Sequence, residues 1–219
     1  MKARKRTLIT LDEAEQDFVE SVTFAFGRFS SVICNAADIV TPILIGYFPK
    51  RTVKRPDWLK TAGVEEICSV SDCISKGPDG WVNHWRHNDM SVYDTPASAW
   101  SVVPENARQE FDLYAYCLFS TRFVEGKQEP FEIPPLNVEP LPRSFVRLGY
   151  DAVSRSCGSN FECSPLSCNY LAGRVIVSRY CLVDTESEAV ELAREFSLGG
   201  CEAGPYHVVE VWRNSNEAG

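Results

Sequence analysis

The sequence predicts an α+β fold with two related β-rich half-units, each with a capped helix between strands, plus an N-terminal helix. Three observations lead to this prediction. β-branched and aromatic runs alternate with a few helix-type repeats, prolines cluster in the middle of the chain, and the same landmarks recur on both sides of them. The 219 residues are 44% hydrophobic and 24% charged, which is the balance of a packed protein.

Three segments carry the start signals and apolar spacing of helices. Thr10 begins a capping box, and apolar residues recur at helical spacing over residues 11–25. Thr95 is followed by Pro96, which suits the first helical position because an N–H there has no partner within the helix. Thr185 begins another capping box, completed by the glutamate three residues later. We therefore expect helices after Thr10, Thr95 and Thr185.

Strands and a connector divide the rest of the chain. Val- and Ile-rich or aromatic runs predict strands in residues 32–48, 111–123 and 206–212. Five prolines favour an extended connector, and they are Pro130, Pro134, Pro135, Pro140 and Pro142. The expected domains are residues 1–127 with the N-terminal helix and first half-unit, the proline-rich connector 128–143, and the second half-unit 144–219.

Four landmarks recur in the same order on either side of this connector. The first is a Gly-Tyr pair at residues 46–47 and 149–150, and the second is a Cys-Ser segment at residues 68–73 and 163–168. The third is an Asp-Thr helix start at residues 94–95 and 184–185, and the fourth is an aromatic strand that closes each half. This order favours an internal duplication, although such strand and helix arrangements are also common without one. A duplication would bring the two Cys-Ser segments together about a pseudo-two-fold axis.

Charge and cysteine content restrict the compartment and the partners. With 30 acidic and 22 basic residues the net charge is −8, so the average surface field repels nucleic acid and acidic lipids. Nucleic acid binding is expected only through the basic residues 50–60. The longest apolar run is too short to cross a bilayer, and no secretion signal is recognisable. Nine cysteines in such a chain are expected to be reduced thiols, which predicts a cytoplasmic location.

The two Cys-Ser segments are candidates for a metal site. Each has the spacing C-x4-C, and the four candidate ligands are Cys68, Cys73, Cys163 and Cys168. Four thiolates satisfy tetrahedral zinc, provided that a turn brings each pair together. The alternative is that these cysteines are packed as small apolar residues.

Residues 150–169, interpreted as a loop, are dense in hydrogen-bonding side chains, which is typical of a binding pocket and equally of an ordinary surface loop. The candidate ligand- or partner-binding residues are Arg51, Ser69, Ser71, Arg155, Glu162, Ser164, Ser167 and Asn169. No nucleotide-binding, protease, hydrolase or calcium motif is present. The sequence therefore favours an intracellular binding or regulatory protein that acts through protein–protein contacts, without a cofactor.

An enzyme is the alternative function. Arg51, Ser69-Val70-Ser71 and nearby acids, and then Arg155, Ser164 to Ser167 and Glu210, form an order that is similar to the Arg, Ser-x-Ser and Glu series of ADP-ribosyltransferase-like proteins. That resemblance implies NAD as the cofactor, with arginine on the pyrophosphate, serines at the nicotinamide and glutamate at an oxocarbenium-like transition state. The paired-glutamate loop of that family is missing. A partner-binding protein, an NAD-using enzyme and a zinc-stabilised scaffold stay open.

Overall fold

The computed structural model describes residues 41–59, 61–78, 86–155, 161–168, 171–199 and 202–215. All of them belong to one compact unit, Val40–Gly219. The helix predicted at residues 11–25 and the candidate residue Asn169 lie outside the described residues. The part that is described has a mixed architecture, in which a five-stranded antiparallel sheet is combined with a few short helices.

The sheet has the strand order β1-β2-β5-β4, with β3 paired to β2. Its strands are β1 (Ile43–Arg51), β2 (Phe111–Val124), β3 (Lys127–Pro130), β4 (Phe145–Ser154) and β5 (Tyr206–Asn214). β2 and β3 form a hairpin whose two turn residues, Glu125 and Gly126, have φ of 47° and 75°. Positive φ at both positions is the backbone that a two-residue hairpin turn needs, because its twist matches that of the strands.

Among the described residues, three α-helices accompany the sheet, namely α1 (Pro96–Trp100), α2 (Pro165–Cys168) and α3 (Glu186–Phe196). Thr95 caps α1, where its hydroxyl accepts a 3.0 Å hydrogen bond from the N–H of Ser98. Thr185 caps α3, accepting at 3.3 Å from the N–H of Glu188, whose carboxylate accepts from the N–H of Thr185 at 3.1 Å. Both caps satisfy amides that have no partner within the first helical turn.

The longest helix, α3, covers part of one face of the sheet. Its buried residues recur every three or four positions, and they are Ala189, Leu192, Ala193 and Phe196. They pack with Phe119, Phe123 and Tyr206 of β2 and β5. This amphipathic spacing is what places a single helix face on the core, and it leaves the opposite face of the sheet for the loops described below.

The interpretation of residues 150–169 as one loop is wrong. Residues 150–154 belong to β4, and Pro165–Cys168 forms a helical turn. The polar residues Asp151 and Ser154 are fully buried in the strand. The sequence pattern failed here because the backbone partners of β4 come from β5, about sixty residues later, and polar side chains in a strand resemble those of a loop.

The other sequence-predicted strands differ less from the structure. β1 extends to Arg51, whereas the predicted strand ended at residue 48, and residues 32–40 lie outside the described part. The proline-rich residues 131–142 form neither helix nor strand, and Phe131, Ile133 and Leu136 pack against the core. Within the described ranges no helix has the length and apolar character needed to cross a membrane.

Candidate functional site

One face of the sheet carries a fully buried carboxylate and a fully buried ammonium. Residues paired across antiparallel strands point to the same face. Asp151 of β4 is paired with Val209 of β5, and Val209 is paired with Leu118 of β2. Tyr116 lies two residues before Leu118 in β2, so its side chain points to the same face. Lys50 of β1 is paired with Asp112 of β2. Asp112 lies four residues before Tyr116, an even number, so both side chains point to the same face. Lys50, Tyr116 and Asp151 therefore project from one face, although they come from three strands.

Asp151 joins the two Cys-Ser segments to each other. One of its carboxylate oxygens accepts from the Ser69 hydroxyl at 2.6 Å and from the Val70 N–H at 3.1 Å. The other accepts from the Ser164 hydroxyl at 2.6 Å. Burial raises the pKa of Asp151 to about 6, although the hydrogen bonds from Ser164 and Ser69 act in the opposite direction. The carboxylate is thus the polar centre on which both segments meet.

Lys50 fixes the first of these segments from the side of β1. Its ammonium donates to the carbonyl oxygens of Val70 and Ser71 at 2.7 and 2.6 Å and forms a 3.1 Å ion pair with Asp72. Only 2% of Lys50 is exposed, and burial lowers its pKa, while Asp72 favours the charged form. The carbonyls of three consecutive residues, 69–71, lie within 3.4 Å of this ammonium, which pins the chain just before Cys73.

A small cavity lies beside this ammonium. Lys50, Asp72 and Tyr116 line it together with Phe48 and Phe161, and its 20 Å³ is enough for about one water molecule. The hydroxyl of Tyr116 is buried and has no hydrogen-bond partner among the described residues. Burial raises the pKa of Tyr116 well above its usual value, so the phenol is neutral. The cavity is therefore lined by the polar residues Lys50, Asp72 and Tyr116 as well as by apolar side chains.

Three thiols gather at the edge of this buried polar core. The sulfur atoms of Cys73, Cys163 and Cys168 all lie within 4.8 Å of one another. Cys73 follows the segment held by Lys50, whereas Cys163 precedes the helical turn α2 and Cys168 is its last residue. Cys163 is buried, Cys168 is half-buried and Cys73 is exposed, so the cluster reaches from the interior to the surface.

The pKa values of two of these thiols, Cys163 and Cys168, are shifted in opposite directions. The hydrogen bond with Cys163 lowers the pKa of Cys168 to about 5, and the same bond raises the pKa of Cys163. The Ser167 hydroxyl lies 3.7 Å and the Ser71 hydroxyl 3.9 Å from the sulfur of Cys168. Hydrogen-bond donors around one sulfur favour its thiolate, which is the form that binds metals and reacts as a nucleophile.

The structure brings three of the four predicted metal ligands together and leaves the fourth apart. The thiol of Cys68 is buried, where it accepts from the Tyr114 hydroxyl at 3.5 Å and lies 3.8 Å from a carboxylate oxygen of Glu66. Burial raises the pKa of Cys68 to about 12. The C-x4-C spacing allows two equivalent pairs or packed thiols, and in the structure Asp151 and Lys50 hold residues 69–72 in a path that separates Cys68 from Cys73.

The predicted serines belong to the core of the site, because Ser69, Ser71, Ser164 and Ser167 are all buried. Glu162 takes part through its backbone, since its carbonyl accepts from the thiol of Cys73 at 2.9 Å. Its N–H donates to the carbonyl of Ser154 at 2.9 Å. These residues organise the thiol cluster and the carboxylate rather than an open polar loop.

The residues that carry the resemblance to ADP-ribosyltransferase-like proteins have other contacts. Arg51 pairs with Glu110 and lies over the ring of Phe111. The guanidinium of Arg155 lies 5.4 Å from the ring centre of Phe131, and burial lowers its pKa. Glu210 lies on the face of Cys117 and Tyr150, opposite Asp151, and its carboxylate is 3.6 Å from Arg147.

Sequence reasoning missed Lys50 and Asp151 as site residues. In the sequence, Lys50 belongs to the basic residues 50–60, and Asp151 belongs to the polar residues 150–169. A signal was present in each case, because a charged residue that ends or interrupts an apolar strand must find a buried partner. Lys50 follows the apolar residues 43–49, and Asp151 lies between Tyr150 and Ala152.

Comparisons with protein-family models, with curated proteins and with solved structures give no match for this chain. The thiol cluster and its buried polar support therefore carry the functional argument by themselves.

Proposed function

We propose that this chain is a zinc-binding scaffold protein, in which Cys73, Cys163 and Cys168 hold the ion. The observation that carries the proposal is the convergence of three thiol sulfurs within 4.8 Å of one another. Zn–S bonds of about 2.3 Å at tetrahedral angles separate the sulfurs by about 3.8 Å. Shifts of about 1 Å therefore bring the three sulfurs to the spacing that one zinc ion needs.

The surroundings of the cluster favour a cation. Asp72 and Asp151 place two carboxylates next to the Cys-Ser segments, against the single ammonium of Lys50. Deprotonation of three thiols adds further negative charge, which a divalent ion compensates. The hydrogen bonds that favour the Cys168 thiolate lower the cost of forming the first ligand.

The fourth coordination position faces solvent in this proposal. No fourth Cys, His, Asp or Glu joins the group of three in the described part of the chain. Cys73 is exposed, so the cluster opens on its side. A water molecule or an external ligand would complete the tetrahedron there, as in zinc sites that keep one position open.

The ion would link two segments that are far apart in sequence. Cys73 comes from the chain after β1, and Cys163 and Cys168 come from the chain after β4. A ligand that binds only the folded chain stabilises it by linkage, and here it would hold the covering segments against the sheet. This fits a scaffold whose surface loops engage other molecules.

We also propose that the two halves of the sheet arose by duplication. Support comes from the order β1-β2-β5-β4, in which each edge strand pairs with the strand that follows its own helix. The register shifts at Gly46 in β1 and at Gly149 in β4. The two glycines have φ of 146° and 145°, and an added Cβ would lie 2.6 Å from the carbonyl oxygen of Tyr93 or Val183.

The residue after each of these glycines supports the same proposal. Tyr47 exchanges backbone hydrogen bonds with Tyr93 at 2.8 and 2.9 Å, and Tyr150 does so with Val183 at 2.8 and 3.0 Å. The N-cap of a helix lies two residues after each partner, and the helix begins at the next residue. Superposing residues 43–124 on 145–214 tests the duplication, because different strand directions or helix positions would contradict it.

Zinc titration tests the scaffold. We expect the reduced, full-length chain to bind one zinc ion in competition with a chromophoric chelator. Cys73→Ser, Cys163→Ser and Cys168→Ser should each weaken binding by more than about 100-fold, since removing a ligand costs more than disturbing its support. Cys117→Ser is the matched control, because Cys117 is buried on the opposite face.

The Cys68→Ser variant distinguishes this three-cysteine site from a site in which all four cysteines of the two C-x4-C segments bind zinc. Zinc affinity should change by less than about tenfold in this variant, which retains all three ligands. Absence of stoichiometric binding, or equal losses in the Cys117→Ser control, would overturn the zinc proposal. Binding to a protein partner and use of NAD are separate predictions, and a titration with NAD under the same conditions tests the second.

A further inference from the structure

We propose that the thiol cluster is also a reversible oxidation site, in which a hydroperoxide links Cys73 to Cys168 as a disulfide and zinc is released. The inference rests on the proposed zinc site. The sulfur atoms lie within 4.8 Å of one another, and a disulfide bond is about 2.05 Å long. The two sulfurs therefore need to approach by less than about 3 Å.

Backbone contacts select which two of the three thiols react. Cys163 is buried and tied to the end of β4, because its N–H donates to the hydroxyl of Ser154 at 3.1 Å and its carbonyl accepts from the Ser154 N–H at 2.8 Å. Movement of its backbone would break both bonds. Cys163 is therefore the least able to change position.

Cys73 and Cys168 lie on the accessible side of the cluster. Cys73 belongs to the turn at residues 72–74 and is exposed, and its thiol donates to the carbonyl of Glu162 at 2.9 Å. Cys168 is the last residue of α2 and is half-buried. A hydroperoxide can therefore reach this side of the cluster, where the sulfurs of Cys73 and Cys168 lie within 4.8 Å of each other.

The reaction is a two-electron oxidation with a hydroperoxide as the oxidant. One of the two thiols loses its proton to solvent and attacks the terminal peroxide oxygen as the thiolate, the O–O bond breaks, and a sulfenic acid and an alcohol (water from hydrogen peroxide) form after uptake of one proton. The sulfur of the other cysteine, also as the thiolate, then attacks the sulfenic sulfur, the S–O bond breaks, and the oxygen leaves as water after uptake of one proton. In total two thiols and one hydroperoxide give one disulfide, one alcohol and one water.

Zinc release follows from the ligand count. A disulfide sulfur is not a thiolate, so the oxidised cluster retains Cys163 as its only ligand of the three. The buried bonds of Asp151 to Ser69 and Ser164 do not involve the reacting sulfurs, so the folded sheet persists. Reduction of the disulfide by a small dithiol restores the three ligands and with them zinc binding.

The test uses the full-length, reduced chain treated with one equivalent of hydrogen peroxide. We expect loss of two hydrogens by mass, a Cys73–Cys168 link in the peptide map, and release of nearly all bound zinc to a chromophoric chelator. The Cys163→Ser variant, treated without zinc, should still form the link. Cys73→Ser and Cys168→Ser should not, and Cys117→Ser should behave like the unmodified chain.

The possible failures are distinguishable. If the reduced chain binds no zinc, the zinc proposal fails, while the peptide map of the zinc-free protein still decides the oxidation. If the reduced chain binds zinc and peroxide does not release it, the oxidation proposal is overturned. A disulfide between Cys163 and Cys168 in place of the Cys73–Cys168 disulfide would also overturn it. Circular dichroism on both redox forms excludes unfolding as the cause of zinc release.

Discussion

Replacing Asp151 by asparagine tests whether a buried charge limits the stability of this fold. Asp151 is fully buried and accepts from two hydroxyls and one amide. Asparagine has the same shape, and its amide oxygen can accept from Ser69 and Val70. Its amide nitrogen would donate to Ser164, whose hydroxyl can rotate to accept. The variant therefore removes the charge and preserves the packing.

The pKa of Asp151 determines the magnitude and the sign of the effect. Burial raises the pKa from 3.8 to about 6, a difference of roughly two units, which corresponds to about 3 kcal/mol. Between these values the folded chain binds a proton that the unfolded chain has lost, so the free energy of unfolding falls as pH rises. We expect the wild-type chain to lose about 2–3 kcal/mol relative to Asp151→Asn from about pH 4 to about pH 7.

Urea unfolding of both proteins, reduced and with zinc removed by a chelator, measures this difference across the pH range. The exposed Asp57→Asn variant is the control for loss of one carboxylate in a turn. Asp151→Ala supplies a further comparison, because it leaves three donors without their acceptor and should destabilise at every pH by about 2 kcal/mol or more. A wild-type minus Asp151→Asn difference that does not change with pH would refute the reasoning.

Three further predictions concern stability. Gly46→Ala and Gly149→Ala should each lower the free energy of unfolding by about 2–4 kcal/mol, because the new Cβ would lie 2.6 Å from a backbone oxygen. Gly63 has φ of 81° but open space around it, so Gly63→Ala should cost only about 1 kcal/mol. Thermal unfolding measures all three variants. Thr185→Ala should lower the free energy of unfolding in urea by about 1 kcal/mol, because the cap of α3 is lost. An unchanged free energy of unfolding would contradict this prediction. Lys50→Met should cost about 2–3 kcal/mol, because it leaves the buried carbonyls at the first Cys-Ser segment without their donor; an unchanged urea midpoint would show that they find other partners.

In the described residues, the local signals in the sequence were sufficient for the starts of α1 and α3 and for the strands β1, β2 and β5. Thr95 and Thr185 cap α1 and α3 because their hydroxyls reach amides only three residues away, so neighbouring residues contain all the relevant chemistry. β2 and β5 begin at the residues where their aromatic and β-branched runs start. The order of repeated landmarks also predicted that the two Cys-Ser segments would lie close together, and Asp151 bonds to both.

Only the tertiary structure decided which of these residues form the site. Cys73, Cys163 and Cys168 meet while Cys68 stays with Tyr114, because Lys50 and Asp151 direct the path of the intervening chain. Those two residues come from different strands, and their shared face depends on the register of β1, β2, β5 and β4. Register is set by pairings between distant parts of the chain, and a shift by one residue would turn each side chain to the opposite face. For that physical reason a spacing of cysteines in the sequence predicts candidate ligands, whereas the folded sheet selects among them.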